Sequence, residues 1–151
     1  MTRKQTLNGA HWPDLTSEIP GLERVSQALT SEPKLSRILQ RLDEVELELR
    51  HDLTEHQLAR HAGTLQRIIV QLLAFEERLW HDVTEDIPWA TYKWLAHAAT
   101  WVGAARVAHT YVEKTLEVRK DQALLALESG VHYATESAMA YARFVAERNY
   151  S

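Results

Sequence analysis

Glutamate and histidine recur along this chain at spacings that place them on one face of a helix. Glu48-Leu49-Arg50-His51 has the Glu-x-x-His spacing with which helical bundles hold paired metal ions. Four-residue spacings occur at His51/Glu55, Glu77/His81/Glu85 and Glu128/His132/Glu136. The di-metal arrangement needs a second Glu-x-x-His, and the sequence has none. Glu48 and His51 also fall on the charged side of their helix, so these pairs read as solvated surface pairs.

Polar residues beside apolar stripes have more chemical interest. Glu76 neighbours Ile69, Leu73 and Trp80 at helical spacing; His109 lies on an apolar stripe; Glu128 and His132 flank another, with Leu125 and Met139. If Glu76, His109, Glu128 and His132 converge, they form a buried cluster able to bind a divalent metal ion or a small ligand. If they do not, each is a histidine or carboxylate satisfied by its own neighbours. The expectation is therefore no cofactor, with a divalent metal ion as the alternative. Haem ligation by His109 with Met139 or His132 has no supporting spacing and no Cys-x-x-Cys-His. Glycine-rich phosphate loops, Gly-x-Ser-x-Gly and His-Glu-x-x-His are absent too, and no catalytic residue is assigned.

A second constellation is aromatic: Trp89, Tyr92, Trp94, His97 and Trp101. Trp94 and Trp101 are seven apart and share a face with His97, and this face is not the Leu95, Val102 and His109 stripe. A helix apolar on two faces occupies the centre of a bundle or meets another chain. Tryptophan and histidine suit such contacts, having an apolar body and a polar edge. Trp94, His97 and Trp101, with Trp12 as a second site, are the expected partner interface.

The elements that carry these residues are helices. Leu35, Ile38, Leu42, Val45 and Leu49 recur at three- and four-residue intervals, opposite Lys34, Arg37, Arg41, Glu44 and Glu48. Those cations and the acidic run Asp43, Glu44, Glu46 and Glu48 read as one balanced, solvated face. Leu58, Leu65, Leu72 and Leu79 repeat at sevens, as a bundle seam requires. Thr54 and Gln57 form a potential capping box between the two stripes, which leaves open whether 34–85 is one helix or two. A third helix is expected from about Pro88 to Arg119, with Leu95, Ala98, Val102, Ala105, His109, Val112 and Leu116 facing inward. A fourth runs from Asp121 to about Arg148, with Leu124, Leu127, Val131, Ala134, Ala138, Tyr141 and Val145 inward. Ser31 and Asp86 are the expected N-caps of the first and third of these helices. Gly103, unfavourable inside a helix, suggests a close helix crossing.

Residues 1–21, with Gly9, Pro13, Pro20 and Gly21, read as an extended N-terminal arm; Leu22–Leu29 has room for one short extra helix. Residues 22–151 form a single helical-bundle domain. The fold expected is thus all-α, a bundle of about four long antiparallel helices.

Composition narrows the function classes. The 151 residues contain no cysteine, which excludes disulfides, thiolate metal sites and a cysteine nucleophile. A net charge of −4 gives no general attraction to nucleic acid, so direct contact with it is not expected. The opening residues MTRKQTLNGAHWPDL lack a signal-peptide apolar core. Trp94–Val112 is long enough to span a bilayer but holds Arg106, His97 and His109. A cytoplasmic protein without membrane contacts is expected. The best-supported function is non-enzymatic, through protein–protein contacts: self-association as a homo-oligomer, an adaptor, or a subunit of a larger assembly. The alternatives are a metal- or ligand-binding bundle using the His/Glu cluster, and a helical subunit of a nucleoprotein complex.

Overall fold

Each inward-facing stripe is the buried face of a helix. Leu35, Ile38, Leu42, Val45 and Leu49 are buried, as are the seven-spaced Leu58, Leu65, Leu72 and Leu79. The computed structural model describes residues 15–82 and 87–150. Five helices follow in order: α1 (Leu15–Ser31), α2 (Pro33–Glu48), α3 (Glu55–Asp82), α4 (Trp89–Thr115) and α5 (Lys120–Tyr150). No strand occurs among the described residues. The all-α bundle is as expected, with α1 as the additional helix.

Helix boundaries show how local chemistry sets the architecture. The region 34–85 divides in two, and the capping box starts the second part. The Thr54 amide donates to Gln57 Oε1 at 2.8 Å, and the Gln57 amide donates to Thr54 Oγ1 at 3.1 Å. Two of the orphan donors at a helix start are thereby satisfied. Ser31, by contrast, does not cap α2. Its hydroxyl donates back to the Ala28 carbonyl at 3.0 Å, and Glu32 holds the N-cap position with Pro33 in the first turn. The serine belongs to the end of α1, where the Ala28 carbonyl, which also accepts from the Glu32 amide at 2.9 Å, lies within its reach. Residues 15–21, assigned to the arm on the strength of Pro20 and Gly21, lie inside α1. Proline there removes one donor from the ladder without ending the helix. The remainder of the arm, Trp12 included, and the cap expected at Asp86 lie outside the described residues. Helix α4 ends at Thr115, four residues before the expected boundary; Thr115 accepts from the amides of Val118 and Arg119 in the tight turn to α5.

Helix α5 is the axis of the bundle. It packs against each of the other four helices, and its interface with α4 is the most extensive in the chain. Ala123, Leu127, Val131, Ala134, Ala138, Tyr141, Ala142, Phe144, Val145 and Ala146 are all buried along it. A buried Ser137 hydroxyl donates to the Ala98 carbonyl at 2.8 Å and ties α5 to α4. The close crossing is at Gly130 rather than Gly103. A Cβ on Gly130 would lie 2.7 Å from Leu65 Cδ2 and 3.4 Å from Ala108 Cβ, whereas one on Gly103 would meet nothing within 4 Å. Glycine in a helix costs about 1 kcal/mol relative to alanine, and only at Gly130 does packing within the chain offset that cost.

The two glycines therefore respond in opposite directions to the same substitution. At high dilution, where each chain unfolds alone, Gly103→Ala should stabilise the fold by up to about 1 kcal/mol through helix propensity. Gly130→Ala should destabilise it by up to about 2 kcal/mol, because overpacking around Leu65 outweighs the propensity gain. Denaturant unfolding of both variants against the wild type measures the sign of each change.

Candidate functional site

The four candidate ligands stand in separate surroundings. Glu76 is partly buried and accepts a hydrogen bond from the Tyr141 hydroxyl at 2.6 Å, across the α3–α5 interface. His109 is buried, with Nδ1 3.7 Å from Glu113 Oε1 one turn along α4. Glu128 is exposed on α5. His132 is also exposed, its ring 6.4 Å from that of Trp101. Among the described residues no three histidine, aspartate or glutamate side chains are grouped to hold a metal ion. Glu76, His109, Glu128 and His132 thus do not converge, and each keeps its own surroundings. Glu76 is bonded to Tyr141 on the adjoining helix, His109 lies beside Glu113 on its own, and the other two face solvent. The lone Glu-x-x-His also disperses, since Glu48 turns to His61, with Oε1 3.6 Å from Nε2, and His51 is exposed.

Two titratable groups have shifted equilibria, and both lie at helix packing surfaces. Burial is the main cause that holds the Tyr141 hydroxyl well above its ordinary pKa; the Glu76 carboxylate, as hydrogen-bond acceptor and as charge, pushes the same way. The Tyr141 ring also stands edge-on to Phe75, with centroids 5.6 Å apart. Burial lowers the His61 pKa; the Glu48 carboxylate opposes this and Arg60 adds to it. Both arrangements lie where α3 meets a neighbouring helix, α5 for Tyr141 and α2 for His61.

The aromatic group separates into three contacts. Tyr92 stacks on Trp80 at 5.9 Å and reaches Phe144 at 6.5 Å. Trp94 is half-buried beside His97, with Arg143 4.9 Å and Lys93 5.3 Å from its ring centre. Its indole Nε1 is buried without a hydrogen-bond partner. Trp101 stacks on Tyr133 of α5 at 5.6 Å. Of the expected interface residues that the structure describes, Trp94 and Trp101 give much of their surface to packing within the chain, and His97 is exposed.

Immediately beside the Trp101–Tyr133 stack is a groove between α4 and α5, about 610 Å³ in volume. Ala104, Val107, Ala108 and Tyr111 line one bank, with Leu125, Ala126 and Tyr133 on the other. Val107 is 72% exposed, Leu125 64% and Tyr111 47%. The sequence signal for this face is the scarcity of charge in Trp94–Val112, where Arg106 is the one formal charge; Val107 and Leu125 carry no signal of their own. At its rim the Tyr111 hydroxyl donates to Gln122 Oε1 at 2.9 Å, bridging the two helices.

A second cleft lies between α2 and α3, about 630 Å³ in volume and lined by five cationic side chains and one carboxylate. Lys34, Arg37 and Arg41 are the residues read from the sequence as one balanced face; Arg67 and Arg78 come from α3. No helix of the described residues is long and apolar enough to cross a membrane. Compared with protein-family models, curated proteins and solved structures, the chain matches none.

The two shifted groups predict the pH profile of folding. A lowered His61 pKa means that the unfolded state binds a proton more readily, so the His61 contribution is present above about pH 6.5 and is lost as pH falls below it. A raised Tyr141 pKa means that the contribution of this residue is present below about pH 10 and is lost as pH rises above it. His61→Gln should flatten the acid limb of stability against pH, and Tyr141→Phe the alkaline limb. At neutral pH, Tyr141→Phe should also cost about 1–2 kcal/mol, since it removes a bond to a charged acceptor. Denaturant melts across the pH range check both limbs.

Proposed function

We propose that the protein acts through protein–protein contacts made by the outer face of the α4–α5 hairpin, with a second copy of the same chain as the occupant. The observation that carries this reading is the open apolar groove flanked by Val107, Tyr111 and Leu125. Clustered exposed apolar residues on a rigid helix pair favour burial against a partner. Charge supports the choice of occupant. Between Trp94 and Val112 the one formal charge is Arg106, and between Gln122 and Ala142 there are only Glu128 and Glu136. A face with so few charges can meet its own copy across a two-fold axis with little like-charge repulsion. Two paired helices also offer the roughly 800 Å² per partner of a standard interface.

Gly103 fits this reading. It sits on α4 beside the groove, where a side chain would meet open space, so its small size gives no packing benefit within one chain. A partner helix approaching α4 closely would supply one.

Size-exclusion chromatography with light scattering tests the proposal on the full chain. The wild type is expected to elute as a dimer. Leu125→Glu and Val107→Glu should each shift it to a monomer with unchanged helical circular dichroism. Val70→Glu, at an apolar residue 54% exposed on α3, should leave the dimer intact. A monomeric wild type at high micromolar concentration, or a dimer indifferent to Leu125→Glu and Val107→Glu, would overturn it.

A further inference from the structure

The α2–α3 cleft has a chemical character opposite to that of the α4–α5 groove. The two helices run antiparallel, tied at one end by Arg78 to Glu32 at 2.9 Å, while at the other His61 Nε2 lies 3.6 Å from Glu48 Oε1. Between these ties they pack less than any other pair of helices in contact, which leaves the space open. Ile38, Ile68 and Phe75, all buried, form an apolar floor.

The cations above that floor are not neutralised by the acidic run that follows them in sequence. Glu46 lies 3.9 Å from Arg50 and Glu48 turns to His61, while Glu44, the one carboxylate lining the cleft, stands in no ion pair among the described residues. Among the described residues, Lys34, Arg37 and Arg41 stand in no ion pair. Across the cleft, Arg67 Nη2 donates to Thr64 Oγ1 at 3.2 Å. Arg78 is fixed by Glu32, with its guanidinium 4.5 Å from the centre of the Phe75 ring. Positive charge therefore concentrates in one cleft of a chain whose net charge is −4.

We propose that this cleft binds a small organic phosphate carrying more than one phosphate group. Guanidinium forks match phosphate oxygens in pairs, which is why arginine rather than lysine dominates such sites. Lys34, Arg37 and Arg41 extend over about 10 Å of helix, further than a single carboxylate or monophosphate reaches. The apolar floor accepts the organic body, and the volume falls within the range of small-ligand pockets. A long nucleic acid is disfavoured, because it would run beyond the cleft over a negatively charged protein.

Isothermal titration calorimetry on the full chain tests this with ATP and inorganic triphosphate as probes, and with laurate and a single-stranded oligonucleotide as competing classes. ATP and triphosphate are expected to bind, and more weakly as salt rises. The double variant Arg37→Gln/Arg41→Gln should weaken ATP by about tenfold or more, and Arg67→Gln should weaken it as well. Arg106→Gln, on α4, should leave ATP binding unchanged. The substituted arginines are exposed, and circular dichroism checks that each variant is folded. Four results would overturn the proposal: no binding of ATP or triphosphate at low salt, ATP binding indifferent to the double variant, laurate binding alone, or an oligonucleotide that binds more tightly than ATP.

Discussion

The close approach of α4 to α5 is the constraint on which the rest of the structure depends. On this seam Gly130 brings its backbone against Ala108 of α4 and leaves room for Leu65 of α3, with which a side chain would collide, and Ala105, Ala134 and Ala138 keep the seam thin. Small residues at a helix crossing bring the axes together, so large side chains must be placed at the edges. That displacement explains the rim of the hairpin. Trp101 and Tyr133 stack where the seam opens, and Val107, Tyr111 and Leu125 lie beyond it with much of their surface in solvent. A seam built from small residues thus creates the apolar outer face on which the proposed self-association rests.

The same arrangement divides polar chemistry among the helices. Charge is densest on α2, where seven of sixteen residues are charged, and sparsest on α4, with four of twenty-seven. Carboxylates there find local partners, Glu48 with His61 and Glu46 with Arg50. Their cationic neighbours are left facing a cleft. The buried polar contacts that remain, Tyr141 with Glu76 and Ser137 with the Ala98 carbonyl, join helices and fix their register.

What the sequence made legible was everything that depends on periodicity. The stripes of α2, α3, α4 and α5 are buried almost residue for residue, and Thr54 with Gln57 caps α3 through reciprocal bonds. Features set by three-dimensional register were hidden. Gly103 and Gly130 look alike in a helical pattern, and only the position of Leu65 tells them apart. Glu76 and Tyr141 are far apart in the chain, and nothing in either helix alone announces their bond. Lys34, Arg37 and Arg41 stand close in sequence to Asp43, Glu44, Glu46 and Glu48, but proximity in sequence is not pairing: Glu46 and Glu48 turn elsewhere and α3 supplies further arginines. Ser31 shows the limit of local rules, since its hydroxyl had an equally good acceptor behind it as donors ahead.

Self-association through the α4–α5 face is the central claim. Hydroxyl-radical footprinting of Tyr111 and Leu125 across a dilution series tests it most directly, because it reads the face residue by residue in the unmodified chain. The account predicts that both side chains are protected at high concentration and become reactive on dilution, while Val70 on α3 reacts equally throughout. Equal reactivity of Tyr111 and Leu125 at every concentration would contradict it.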